Sequence, residues 1–285
     1  MKLKIGTRGS RLAILQTGIV VEKLKTVIPD LREDIKTIKT AGDLRRGKVS
    51  TGAFVNEINR AVLRGMIDIG VHSLKDLPTR LPRGLELACV PDRATPNDAL
   101  VSRDNVGLFN LPKGSVIGTD SPRRIAEISS LRPDLKFKKI RGNIETRIRK
   151  VDEGLYDGAI IALAALERLG IRDRAAQVLG LEEVVPAPGQ GALGVVSRGG
   201  AGSGFLKKIN DARAWTEVTC ERTFLEELGS GCRGGAGAIA KIKGKDIELI
   251  AVVHDGGRRL IKLTGRDPVA LGRRAGKILC WAKST

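Results

Sequence analysis

The sequence predicts an α/β protein built as two similar α/β lobes around a cleft, followed by a small α+β domain. Three observations predict it. Short apolar runs alternate with amphipathic stretches through the first two-thirds of the chain, the rhythm of strands and crossover helices. That rhythm restarts after residue 95 with two local matches: Gly6-Thr7-Arg8-Gly9-Ser10-Arg11 resembles Gly118-Thr119-Asp120-Ser121-Pro122-Arg123, and Gly65-Met66-Ile67-Asp68-Ile69-Gly70 resembles Gly154-Leu155-Tyr156-Asp157-Gly158-Ala159. Past residue 200 the texture changes to a Gly-rich stretch, one helix and alternating strands.

In chain order, Leu3-Lys4-Ile5 reads as a strand ending at Gly6. The helix after it places Leu12, Ile19, Val20, Leu24 and Val27 on one face and stops at Pro29. Residues 35–40 read as a strand, 54–64 as a helix and 67–71 as a third strand. The second lobe opens with Val116-Ile117, and a helix follows at Ser121-Pro122, where Pro suits the first turn. Residues 137–140 read as a strand, and a helix carries Ile144, Ile148, Val151 and Leu155 before the strand Ala159-Ile160-Ile161. Gly199-Gly200-Ala201-Gly202-Ser203-Gly204 is a flexible link. Beyond it lie a helix through Val218, Leu225 and Leu228, strands at 238–241, 247–253 and 259–263, and a turn at Asp255-Gly256-Gly257. A last helix is capped by Asp267-Pro268 and buries Leu271, Ala275 and Ile278.

The 285 residues carry 50 Lys and Arg against 32 Asp and Glu, a net charge of +18, so an anionic partner is expected. With 41% hydrophobic residues the chain is neither disordered nor of low complexity. No apolar run reaches the roughly 18 residues of a membrane span, and the start lacks the apolar segment of a signal peptide, so the expected address is the cytoplasm. His72 and His254 are too few for a His-built metal site, and Cys89, Cys220, Cys232 and Cys280 show no paired spacing, so no metal is expected. Aromatics make up 3% of the chain, too few for base-stacking platforms.

Much of the basic chemistry falls on loops that leave strands. Arg8 and Arg11 follow the first, Arg123 and Arg124 follow the strand at Val116, and Arg141 follows Ile140 with Arg147 beyond it. Arg matches a carboxylate through two parallel N–H donors, and helix N-termini with Thr and Ser hydroxyls add neutral donors. One such arginine serves equally well as a cap or a solvated side chain; several at equivalent loops of two lobes point to an anion site. In Val71-His72-Ser73-Leu74-Lys75-Asp76-Leu77-Pro78 an ammonium and a carboxylate sit side by side past a strand end, either as acid/base machinery or as a surface ion pair. Cys232, with Gly231 before it and Gly234-Gly235 close after, has room to act as nucleophile or attachment point, or to be inert. Cys89 and Cys220, on apolar or helical stretches, fit the inert description.

The chain resembles the porphobilinogen deaminase (hydroxymethylbilane synthase) family of tetrapyrrole and heme biosynthesis. The motifs run nearly its whole length in order: KIGTRGSRLAILQT, GDLRRGKVSTGAFVNEI, DIGVHSLKDLP, GTDSPRR, KIRGNIETR, APGQGA and the Gly-Ser-Gly-Cys loop at Cys232. The resemblance implies a transferase that joins four porphobilinogen molecules head to tail onto a dipyrromethane cofactor with loss of ammonia, then hydrolyses the chain to hydroxymethylbilane. It implies a thioether from Cys232 to the cofactor, and Asp76 as the catalytic carboxylate beside the cationic methylene-pyrrolenine. By the same resemblance Ser73, Lys75, Thr119, Ser121, Arg123, Arg124 and Arg147 hold the cofactor. Arg8, Ser10, Arg141, Arg168 and Gln190, the last near a lobe hinge, hold substrate, while Gly142 and Asn143 are structural. It further implies a monomer with porphobilinogen as its small-molecule partner and no nucleic-acid or membrane partner. The expected domains are 1–93 with 189–211, 94–188, and 212–285, the last carrying Cys232.

The sequence departs from the family pattern in three places. Many members have Gly-Lys-Gly ahead of Phe54, where this chain has Ser50-Thr51-Gly52-Ala53 with Lys48 upstream and a loop one residue shorter. Asp120 stands where Ser is usual and is expected to face away or cap the helix, and Gly9 replaces a commoner Gln. Two other classes compete. A two-lobed anion-binding protein without catalysis suits the first two domains, which read like a periplasmic-type binding fold, but not the third domain or Cys232. A nucleic-acid binder needs clustered Lys, whereas here the basic residues spread over α/β loops.

Overall fold

The computed structural model describes residues 1–39, 55–200, 203–229 and 235–281; Lys48 to Phe54 and Cys232, singled out above, lie outside them. In chain order the elements are β1 (Lys2–Thr7), α1 (Arg11–Val27), β2 (Arg32–Thr37), α2 (Asn56–Leu63), β3 (Ile69–Ser73), β4 (Leu85–Cys89), β5 (Asp98–Ser102) and β6 (Val116–Gly118). Then come α3 (Pro122–Leu131), β7 (Lys136–Lys138), α4 (Ile144–Asp152), β8 (Gly158–Ala162), α5 (Leu163–Arg168), β9 (Gln177–Val178) and β10 (Leu193–Arg198). The last are α6 (Ser203–Lys208), α7 (Ala212–Glu227), β11 (Ala236–Lys243), β12 (Asp246–His254), β13 (Arg258–Gly265) and α8 (Pro268–Trp281).

The chain divides into two compact units, 1–94 with 192–215 and 95–191 with 216–285. The first holds a five-stranded sheet in the order β2-β1-β3-β10-β4. In it β1 runs parallel to β2 and β3, and β10 antiparallel to β3 and β4. The second unit repeats this plan strand for strand in β7-β6-β8-β5-β9, with β6 parallel to β7 and β8 and β5 antiparallel to β8 and β9. The paired Gly-Thr turns in the sequence are thus the ends of equivalent strands, β1 and β6. The parallel βα reading holds for three strands of each sheet. The fourth strand of each sheet, β10 or β5, is an antiparallel insertion, and the fifth, β4 or β9, runs in the direction of the first three; β10 arrives from more than a hundred residues past β3.

Each lobe is held by apolar faces meeting between sheet and helices. In the first, Ile5, Val20, Leu24 and Val195 are fully buried, at about 1.5–3 kcal/mol of burial each. In the second unit Leu100, Ile117, Ile128 and Ile160 do the same work. That unit also contains the antiparallel sheet β11-β12-β13, which packs Leu249, Ala251 and Val253 against Phe224 of α7 and Leu271 and Ala275 of α8. α7 and α8 approach so closely that a Cβ at Gly272 would overlap the Cys220 carbonyl. A small cluster of Val185, Ile239 and Val252 joins this sheet to the lobe.

Three local expectations shift. β2 lies at Arg32–Thr37 rather than 35–40, because pairing with β1 (Lys2 opposite Arg32) sets its register and its faces are mostly exposed. Leu155 falls beyond the end of α4 and is 57% exposed. Ile278 of α8 is 43% exposed, while Leu271 and Ala275 are buried as expected.

Candidate active site

In the first unit, the predicted residues gather where β1 and β3, parallel neighbours, both end. Ligands of open α/β sheets sit outside the carboxyl ends of strands. Ser10 is the N-cap of α1, its hydroxyl accepting from the Ala13 N–H at 3.3 Å. Gln16, one turn further along α1, fixes the end of β3: its Nε2 donates to Ser73 Oγ at 3.0 Å, and its Oε1 lies 3.2 Å from the same hydroxyl. Leu74 to Asp76 then form a single 3₁₀ turn. Its backbone is pinned by Leu74 N–H to Ala192 O at 2.9 Å and Leu77 N–H to Leu74 O at 3.1 Å. Leu74 and Leu77 are buried, so the spacing of two leucines presents Lys75 and Asp76, both half-buried, on the other side of the turn. His72 behind them is buried, and that burial, with Arg8 nearby, pulls its pKa down to about 3. It is a neutral imidazole at pH 7.

In the second unit the equivalent edge is the end of β6 and β8. β5 runs antiparallel to β8, with Asp98 opposite Ala162, so the first residue of β5 lands at that edge. Asp98 is fully buried. Three residues expected to hold ligand converge on it. Arg123 Nη2 donates to Oδ2 at 2.7 Å. Arg124 donates to Oδ1 from Nε at 3.1 Å and from Nη2 at 2.7 Å, and Gln190 Nε2 donates to Oδ1 at 3.0 Å. Arg123 also reaches Val185 O at 2.9 Å, and Arg124 reaches Ile160 O at 2.8 Å. Burial pulls Arg123 below its ordinary pKa and Asp98 opposes that; a guanidinium there stays charged.

The helix bearing these arginines is set by its loop. Ser121 caps α3, accepting from the Arg124 N–H at 3.4 Å, and the buried Thr119 accepts from the Ser121 N–H at 3.2 Å. One turn on, the fully buried Glu127 receives Arg258 Nε at 3.0 Å, with His254 Nε2 at 3.5 Å. The α3 helix is thereby tied to the β12–β13 hairpin.

The remaining arginines are more open. Arg141 pairs through Nε with Asp120 Oδ2 at 2.9 Å, so Asp120 neither faces away nor caps α3. Arg147 Nε donates to Gly142 O at 2.9 Å. Gly142 takes φ +111°, where a Cβ would strike Thr146, and Asn143 caps α4 by accepting from Thr146 N–H at 2.9 Å. Arg168 Nη2 donates to Gly191 O at 2.7 Å.

Thus Arg8, Ser10, Ser73, Lys75 and Asp76 share one sheet edge of the first unit, while Thr119, Ser121, Arg123, Arg124 and Gln190 form one bonded group in the second. Sequence reasoning missed Asp98, Gln16 and Glu127. For Asp98 the signal was an acid heading the apolar run Ala99-Leu100-Val101, a placement that needs a buried cation. Burial pushes the Cys89 and Cys220 thiols up to about 12, consistent with inert side chains.

A family model described as "Porphobilinogen deaminase, dipyromethane cofactor binding domain" matches residues 3–203, and one described as "Porphobilinogen deaminase, C-terminal domain" matches residues 215–280. The "Probable porphobilinogen deaminase" of Pyrobaculum neutrophilum is 43% identical over 292 residues, covering 99% of each chain. The "Porphobilinogen deaminase" of Thermus thermophilus is 45% identical over 241 residues, 84% of this chain and 80% of that one. Among solved structures, a putative methionine-binding lipoprotein from Bacillus subtilis superposes with a TM-score of 0.49 at 12% identity, over 75% of this chain and 92% of that one.

Proposed function

This chain belongs to the porphobilinogen deaminase family, and from that premise we propose that Asp76 is its catalytic carboxylate and Cys232 its point of cofactor attachment. The enzyme is a transferase of tetrapyrrole biosynthesis that joins four porphobilinogen molecules head to tail with loss of ammonia and hydrolyses the product to hydroxymethylbilane. Its dipyrromethane cofactor, when bound, supplies the pyrrole α-carbon to which the first unit is added.

The observation that carries the reading is a charge imbalance in a buried place. Among the described residues, two guanidiniums less than a tenth exposed (Arg123 and Arg124) meet the single fully buried carboxylate of Asp98, while the buried Glu127 is matched by the more open Arg258. One positive charge is left over in low dielectric, which favours an incoming anion. Each pyrrole unit of cofactor and substrate carries an acetate and a propionate, so the donor set fits. We assign the cofactor carboxylates to Arg123, Arg124 and Arg147 with Lys75, Ser73, Thr119 and Ser121. Arg8, Ser10, Arg141, Arg168 and Gln190 take the substrate. Asp76, held on a turn pinned by two buried leucines, stabilises the cation left when ammonia departs and accepts the proton lost after coupling. His72 does not compete for that role, because an imidazole whose pKa lies at about 3 is too weak a base to take up that proton at pH 7.

On this reading the chain has three domains, 1–93 with 189–211, 94–188, and 212–285, and works as a cytoplasmic monomer; sedimentation of the purified chain and cell fractionation test the last two. Intact-protein mass tests the chemistry. Wild-type chain from a host that makes porphobilinogen is expected to be heavier by two linked pyrrole units and to redden with Ehrlich's reagent, and Cys232→Ser to lose both. An unmodified, inactive wild-type chain overturns the reading in favour of a non-catalytic anion binder.

A further inference from the structure

We propose that Asp120 is an internal competitor for Arg141, a residue that weakens the grip of this loop on substrate carboxylates so that a polyanionic product can leave. The inference rests on the assignment of Arg141 to a substrate carboxylate made above, and adds a second residue that tunes it.

The second unit contains arginine–carboxylate pairs of two kinds. Around Asp98 the partners are sealed: the side chains of Arg123 and Arg124 are 5% and 9% exposed and that of Asp98 is 0%. Such a pair is permanent, because separating it strands charge in the interior. The pair between Asp120 Oδ2 and Arg141 Nε is different. It is 2.9 Å long, but its side chains are 24% and 46% exposed. Water reaches both, so a dissolved carboxylate can take the place of Asp120 at low cost.

Asp120 is also incompletely satisfied. Its Oδ1 is covered by protein and accepts no hydrogen bond. The carboxylate therefore keeps negative charge that, among the described residues, the one pair with Arg141 offsets, and it keeps it within the strand-to-helix loop that carries Thr119 and Ser121, two of the proposed anion donors. Any carboxylate drawn to Arg141 must displace Asp120 from Nε or bind beside it against its repulsion. Either way affinity falls. With water reaching both side chains, a unit charge about 4 Å away acts close to the dielectric of bulk water and changes binding by about three- to tenfold.

That reduction suits a site whose ligand gains two carboxylates with every porphobilinogen added. A row of arginines with no internal competitor holds the longest chain most tightly, and release then limits the rate. Asp120 sets a ceiling on that hold at one point of the row.

The test is a double-mutant cycle on the holoenzyme with Asp120→Asn, Arg141→Gln and both together, each checked for wild-type cofactor mass and melting temperature. Asp120→Asn is expected to lower KM for porphobilinogen about three- to tenfold, to lower kcat as product release slows, and to strengthen inhibition by a small polycarboxylate such as benzene-1,2,4,5-tetracarboxylate. An unchanged kcat overturns the claim that Asp120 eases release. In the Arg141→Gln background the same change is expected to move KM less than twofold. Asp120→Ser, which keeps a hydroxyl, repeats the measurement with a second side chain. If KM is unchanged or rises in Asp120→Asn while Arg141→Gln raises it, the inference falls and the assignment of Arg141 stands. If Asp120→Asn lowers KM equally with and without Arg141, the effect is general charge and the inference also falls. If Arg141→Gln leaves KM untouched, the assignment of Arg141 itself falls, and the inference with it.

Discussion

Replacing Asp98 with Asn changes one atom and removes a carboxylate that, among the described residues, pairs with both Arg123 and Arg124. In the wild type, Oδ1 accepts three donors, from Arg124 Nε and Nη2 and Gln190 Nε2, and Oδ2 accepts Arg123 Nη2 at 2.7 Å. An Asn at this position can turn its oxygen toward the three-donor side. Its NH₂ group then faces Arg123 Nη2, donor against donor, at a separation too short to keep. Turning the amide the other way is worse, because three donors then meet an NH₂. Both guanidiniums also lose their counter-charge in a site that is nearly closed to water. Breaking a buried pair from one side costs about 3–5 kcal/mol. For a chain of this size about 2–4 °C of melting temperature accompanies each kcal/mol. The expected outcome for Asp98→Asn is therefore a melting temperature lower by roughly 6–20 °C, with loss of the two-pyrrole mass increment. Removing Arg123 as well, as Asp98→Asn with Arg123→Met, relieves part of the unbalanced charge, so part of the melting temperature is expected to return while cofactor loading stays low. A single mutant that melts within 2 °C of wild type, or loads fully, refutes the claim that this carboxylate orders the two arginines.

Two further predictions follow from the first unit. Asp76→Asn is expected to abolish turnover in a single-turnover assay while the mass increment on Cys232 is retained; near-normal turnover removes Asp76 from its role. His72 is a base whose pKa falls from 6.5 to about 3 on folding, so above pH 6.5 it is neutral in both states. As pH drops below 6.5 the unfolded chain takes up a proton that the folded chain refuses, and stability declines until about pH 3. At pH 5 that linkage amounts to about 2 kcal/mol, so denaturant titrations at pH 7 and pH 5 are expected to show wild type losing about that much more than His72→Gln. Equal losses in the two proteins contradict a neutral buried imidazole.

The parts of this molecule that were legible from sequence are those fixed by neighbours in sequence. Ser10, Ser121 and Asn143 announce helix starts because each cap bonds to an N–H three residues on. The repeated Gly-Thr turns revealed the duplicated lobes for the same reason. What was not legible depends on partners far along the chain. Leu193 to Arg198 is a short apolar run with no period of its own, and it becomes a strand because β3 and β4, residues 69–89, offer edges on both sides. Residues 32–37 alternate charge rather than apolarity, so only pairing with β1 defines them.

The site divides along the same line. Arginines at strand ends could be listed from sequence, yet their number gave no measure of which are committed and which exchangeable. That depends on the nearest carboxylate and on water. Asp98, with 0% exposure, converts Arg123 and Arg124 into a fixed part of the wall that carries one surplus charge. Asp120, at 24%, leaves its pair with Arg141 open to water. A net charge of +18 thus becomes informative only after each guanidinium is set against its own acid. A site that must hold one polyanion permanently and release another needs both kinds of pair, and the second unit contains both.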